Sequence, residues 1–272
     1  MHIRNFLPYA LLLLALCWGG NAAAEKPLKI IAGTSLIEDI ARDLSGSTAE
    51  ILTLAQGSNC PGHENFKTGD FVFAAESDIL LLHAFQRDMP QVKTMLEAVK
   101  NKGLRVVFVP VRGSWLIPDN QKEASRHVAA ALAKAAPHEA AVFTARLQKR
   151  LARVDSLGAE CLAMLAPVRG KAVLASAMQA EFLAWAGLDV LRTYGRAEDA
   201  GTGALAQVLR AVRGKKICGV IDNRQSGGEA GLPLALELKT PHLVLSSFPG
   251  SGQDVPDYFS LLRVNAQALA RL

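Results

Sequence analysis

The apolar positions of this chain alternate between two periods. Short, mostly branched apolar runs over residues 28–32, 50–55, 78–82 and 105–109 read as strands, the third ending at His83. Between them, apolar residues at three- and four-residue spacing predict helices over 33–44, 68–76 and 89–102. The second half repeats the plan. Strands are expected over 172–175, 188–193, 216–221 and 242–245, and helices over 178–185, 202–212, 228–238 and 256–272. Strands alternating with helices predict parallel sheets with right-handed crossovers. The halves share architecture without a convincing sequence repeat.

Between the halves the pattern changes. Residues 120–134 form an alanine-rich helical stretch that stops before Pro137, a residue suited to the first turn of the next helix. Phe143, Leu147, Leu151, Val154, Cys161 and Leu165 then mostly follow helical spacing. A helix over 139–164 would be on the order of 40 Å long at 1.5 Å per residue. Such a helix is a stiff strut; a flexible linker would show glycine and serine instead. The expected class is therefore α/β, with two parallel-sheet lobes joined by one long backbone helix. The expected divisions are an N-terminal lobe over 25–136, a linking helix over 137–165 and a C-terminal lobe over 166–272.

The first 24 residues read as a signal peptide. Arg4 gives a positive start, an apolar run includes Leu11 to Leu16, and Ala22-Ala23-Ala24 offers a small-residue cleavage site after Ala24. Cys17 raises the alternative of a lipid anchor, ranked second because Leu16 and bulky Trp18 flank it where small residues are expected. The mature chain is expected in the periplasm. The full chain carries a net charge of +5, and losing residues 1–24, which hold one arginine and no acid, leaves +4. The basic residues are scattered, so no nucleic-acid partner is expected. Three cysteines remain, Cys60, Cys161 and Cys218, an odd number that leaves at least one without an internal partner.

Of these, Cys60 asks for a chemical reason. It stands in Ser58-Asn59-Cys60-Pro61-Gly62-His63-Glu64, where Pro-Gly permits a sharp turn and lets a thiol and an imidazole face one point. Both are ligands for borderline-soft metals such as zinc. Two donors do not make a site, and the motif alone slightly favours the plainer reading of a decorated tight loop.

Ligands of open α/β sheets bind beyond the carboxyl ends of the strands. Those positions collect Cys60, His63 and His83 with Ser114 and Trp115 in the first half. In the second half they collect Ser176, Gln179, Asp222, Asn223, Gln225, Ser226, Ser246 and Ser247. The candidate metal ligands are His63, Cys60, His83 and Asp222. The candidate cleft lining is Trp115, Ser176, Gln179, Asn223, Gln225, Ser246 and Ser247. For His83 the competing reading is a strand-end histidine bonded to nearby backbone, and for Asp222 a helix-capping role. An enzyme with Cys60 as nucleophile and His63 as base lacks a recognisable orienting group or oxyanion site, so no catalysis is expected.

The sequence resembles the periplasmic zinc and manganese solute-binding proteins of ABC importers, the TroA-like family, over nearly the whole mature chain. Pro61-Gly62-His63 lies where that family has its first histidine ligand. Gly113-Ser114-Trp115-Leu116-Ile117-Pro118 keeps the tryptophan, leucine and proline that follow the family's second. The chain departs at three positions. Gly113 replaces the second histidine, Ser176 lies near the position of the third ligand, and Ser246 near that of the acidic fourth. The His-rich insertion of many zinc members is absent. The resemblance implies two lobes on a backbone helix and capture of a divalent transition-metal ion, with zinc favoured by the Cys–His pair. It also implies delivery to a membrane permease, by a protein expected to be a monomer. The alternative is the same scaffold carrying a metal chelate or another small polar ligand.

Overall fold

Two four-stranded parallel sheets carry the chain, in a computed structural model that describes residues 26–196 and 202–272. The expected signal peptide, its cleavage after Ala24 and the alternative anchor at Cys17 lie outside the described residues. The first half runs β1 (Leu28–Ala32), α1 (Ser35–Ser45), β2 (Ala49–Thr53), α2 (Thr68–Ala75), β3 (Ile79–His83), α3 (Pro90–Ala98), β4 (Arg105–Val109) and α4 (Pro118–Ala135). The long helix α5 (Ala140–Leu165) follows. The second half runs β5 (Ala172–Ser176), α6 (Ala180–Trp185), β6 (Asp189–Tyr194), α7 (Thr202–Ala211), β7 (Gly219–Asn223), α8 (Leu232–Leu238), β8 (His242–Leu245) and α9 (Tyr258–Leu269).

The sheets have the same order, β2-β1-β3-β4 and β6-β5-β7-β8. The central strands β1 and β3 are covered on both faces, which is why they read as apolar runs, broken in β1 only by Lys29, whose amine pairs with Glu76 at 2.7 Å. In each sheet the connections diverge between the two central strands, β1 and β3 or β5 and β7, and such switch points open the crevice used by ligands. Strand β7 runs two residues beyond its expected end. Asp222 and Asn223 are therefore strand residues and point to opposite faces of the sheet.

Helix α5 joins the halves through a continuous apolar core. Its Phe143, Val154, Leu157, Cys161 and Leu165 pack in one cluster with Ile37, Ile40 and Leu44 of α1 and Leu261, Leu262 and Leu269 of α9. Within that junction lies a buried charge. Arg150 of α5 is 1 % exposed and donates to Asp39 Oδ2 at 2.6 Å, to Asp43 and to Ser125 Oγ at 3.1 Å. Asp39 also accepts from the backbone N of Tyr258 at 3.2 Å, so one guanidinium ties α1, α4 and α5 to the start of α9. Burial pushes the Asp39 carboxyl up, against the pull of Arg150. Among the described residues no helix is long and apolar enough to cross a membrane.

Candidate functional site

The carboxyl ends of the two sheets face each other and touch. Ser35 Oγ, opening α1, donates to the carbonyl of Pro249 at 2.7 Å, and Gln225 Nε2 donates to the carbonyl of Gly57 at 2.6 Å. A Cβ at Gly57 would stand 1.8 Å from the Pro249 carbonyl oxygen, so the close approach of these two loops requires glycine. Both contacts join the first half to the second.

On this seam stands the Cys-Pro-Gly-His turn. The backbone N of His63 closes it on the Cys60 carbonyl at 3.0 Å, and Gln91 Nε2 braces it at the Pro61 carbonyl, 3.3 Å away. Pro61 is buried, Cys60 half-buried and His63 exposed. Arg196, two residues past β6, reaches both functional groups. Its Nη2 donates to Cys60 Sγ at 3.2 Å, and its Nη1 lies 3.3 Å from His63 Nε2. Arginine only donates, so the sulfur and the imidazole nitrogen both present lone pairs to one cation. The thiol and imidazole thus converge as the turn predicts. Among the described residues none of Cys60, Cys161 and Cys218 is in a disulfide, and burial pushes the Cys161 thiol up to about 11.

The other two candidate ligands stand apart from this pair, and each has a partner of its own. His83 ends β3 with its ring buried; Nε2 lies 2.7 Å from Thr34 Oγ1. The Trp115 ring is 3.9 Å from it, centroid to centroid, and burial lowers its pKa to about 3. Its backbone N donates to Gln86 Oε1 at 2.9 Å, and Gln86 Nε2 donates to the carbonyl of Gly33, so a glutamine fills the switch point between β1 and β3. Asp222 turns to the far face of β7. There its Oδ2 accepts from the backbone N of Gly231 at 2.9 Å and lies 2.7 Å from His242 Nε2. Among the described residues no three His, Cys, Asp or Glu side chains gather where they could hold a metal ion. The expected four-residue set is therefore not assembled.

The expected cleft residues of the second half do assemble, into a buried uncharged network. Gln179 Nε2 donates to Asn223 Oδ1 at 2.9 Å and to Ser247 Oγ at 3.1 Å, and Ser247 Oγ donates to the same Asn223 oxygen at 2.7 Å. Gln225 Nε2 also donates to Ser246 Oγ at 2.8 Å, and its Oε1 accepts from the Ser247 backbone N at 3.0 Å. Ser176 is buried at the end of β5. Trp115 is a buried wall residue whose Nε1 donates to the Val111 carbonyl at 3.3 Å.

Two residues of the seam escape the strand-end reading. Arg196 stands beyond the carboxyl end of β6, where the strand-end rule also points. Glu181 lies in the first turn of α6, and its Oε2 accepts from the Ser114 backbone N at 2.6 Å. A Cβ at Gly113, where φ is +77°, would stand 2.5 Å from that oxygen. The carboxylate thus crowds the space a side chain at position 113 would enter, which accounts for the glycine there.

A family model described as ZnuA, zinc-uptake complex component A, periplasmic, matches residues 30–272. No curated protein matches the chain. Among solved structures, the chain is similar to one titled as ZnuA, with 17% identity, a TM-score of 0.76 and coverage of 90% of this chain and 98% of that one. It is also similar to Mn-bound and Cd-bound structures of a periplasmic metal-binding protein from candidatus liberibacter asiaticus. Each of these has 14% identity, a TM-score of 0.76 and the same coverage of 90% and 98%.

Proposed function

Since the chain belongs to the periplasmic zinc-uptake component A family, we propose that it is the solute-binding component of an ABC importer. It captures a transition-metal ion between its lobes and delivers it to a membrane permease. One observation carries the choice of donors: Cys60 Sγ and His63 Nε2 converge on a single cation, the Arg196 guanidinium. A group that holds a guanidinium with a sulfur and an imidazole lone pair presents the donors that zinc takes, at about 2.3 Å for sulfur and about 2.0–2.1 Å for nitrogen. His83 and Asp222 are left out of the donor set because Thr34, Gly231 and His242 hold them. Water completes the shell, and binding is weaker than in four-ligand relatives. The sulfur favours zinc over manganese. Export with cleavage after Ala24, and the division into lobes over 25–136 and 166–272 with a linking helix over 137–165, belong to the same reading.

Calorimetric titration with zinc, cobalt and manganese tests it. His63→Ala is expected to abolish most zinc binding, and Cys60→Ser to shift preference away from zinc toward harder ions. Both donors bind metal only when deprotonated, so affinity should fall as pH falls. Zinc affinity unchanged in both variants would place the site elsewhere.

A second reading, in which the cargo is a metal chelate, draws on the uncharged network of Gln179, Asn223, Gln225 and Ser247. Amides and hydroxyls suit the polar groups of an organic ligand better than a bare dication. Native mass spectrometry of protein purified from the periplasm separates the two by the mass that comes with the metal.

A further inference from the structure

Arg196 holds the Cys60–His63 pair as a metal cation would. Its two terminal nitrogens belong to one planar, permanently charged group, and each meets one donor, at 3.2 Å from Sγ and 3.3 Å from Nε2. Guanidinium takes up a lone pair of the sulfur and one of the imidazole nitrogen, the same atoms a metal would use. A metal bound to both donors would therefore stand at or beside the place the guanidinium fills. A dication and a guanidinium at that separation repel each other in a half-buried site. The two cannot share the donors.

We infer that Arg196 is the resident cation of the Cys60–His63 pair, displaced by the incoming metal ion, and that it sets how tightly and how selectively the site holds metal. The inference rests on Cys60 and His63 being the donors proposed above. Arg196 adds a competition that each ion must win. Ions with strong affinity for thiolate and imidazole displace the guanidinium, whereas hard ions such as manganese gain too little from these donors to do so. Because Arg196 follows β6 while the donors follow β2, the guanidinium also ties the two halves together, and loading with metal removes that tie.

The test is titration of the full mature chain with zinc and with manganese, for wild type, Arg196→Met and Arg196→Lys, with His63→Ala and Cys60→Ser as references. Arg196→Met keeps an unbranched stem but is shorter, and it removes the charge and both donor groups. It should bind zinc about tenfold tighter, the factor expected when a charge-assisted contact no longer has to be broken, and should gain measurable manganese binding. Arg196→Lys keeps a cation beside the donors and should stay much closer to wild type, a distinction that a purely structural role would not produce. Zinc binding that depends on Cys60 and His63 but is unchanged in Arg196→Met would overturn the competition while leaving the donors intact. Weaker zinc binding in Arg196→Met would also overturn it, because the guanidinium would then support the bound form rather than compete with it. Zinc binding insensitive to both His63→Ala and Cys60→Ser would remove the donor reading and the competition together.

Discussion

Arg150→Met is expected to lower the unfolding free energy by about 3–5 kcal/mol, the cost of removing one partner from a buried ionic cluster. The side chain is 1 % exposed and carries hydrogen bonds to Asp39, Asp43 and Ser125. Methionine fills much of the volume but leaves two carboxylates facing each other across a gap, with Asp39 nearly buried and still accepting from the Tyr258 backbone N. Urea denaturation followed by circular dichroism measures the loss. Adding Asp39→Asn and Asp43→Asn to Arg150→Met should restore most of it, because the uncompensated charge causes the cost. A loss below about 1 kcal/mol, the range of an exposed ion pair, would show that the cluster is solvated rather than buried.

His83 gives the second large effect, and it appears with pH. Its folded-state pKa is lowered from 6.5 to about 3 by burial. As pH falls through about 6.5 the unfolded chain takes up a proton that the folded ring refuses. Stability is therefore fully present above that pH and declines as pH drops towards about 3. The full decline is on the order of 5 kcal/mol. His83→Gln replaces the ring by a neutral group that can still bond Thr34 Oγ1, so the difference in unfolding free energy between wild type and variant should shrink as pH falls from 7 to 4. Carboxylates titrate in both proteins and cancel in that difference. A difference independent of pH would contradict the buried, neutral His83.

The fold was legible because its signals are periodic. Parallel strands covered on both faces appear as apolar runs such as residues 79–82, and α5 announces itself through the spacing of Phe143, Val154, Cys161 and Leu165. The strand-end rule also found the turn with Cys60 and His63 and the network of Gln179, Asn223 and Gln225. It failed where direction and depth decide. Asp222 and Asn223 are neighbours in sequence, yet strand alternation sends one to His242 and the other to Gln179, and placing the end of β7 two residues early hides that alternation. His83 ends its strand as expected, but its burial against Trp115 depends on packing across the first sheet. Glu181 and Arg196 act across the seam between the halves, and no spacing within one chain segment reports such a meeting.

Whether Cys60 and His63 hold a metal ion between the lobes is measured most directly by titration with cobalt(II) followed by absorption. A cobalt–thiolate bond gives a charge-transfer band in the near ultraviolet that nitrogen and oxygen donors alone do not give. This band should grow to saturation in the wild type. It should be lost in Cys60→Ser, and in His63→Ala it should need far more cobalt to develop. A saturating band that persists unchanged in Cys60→Ser, or cobalt binding with no such band in the wild type, would contradict it.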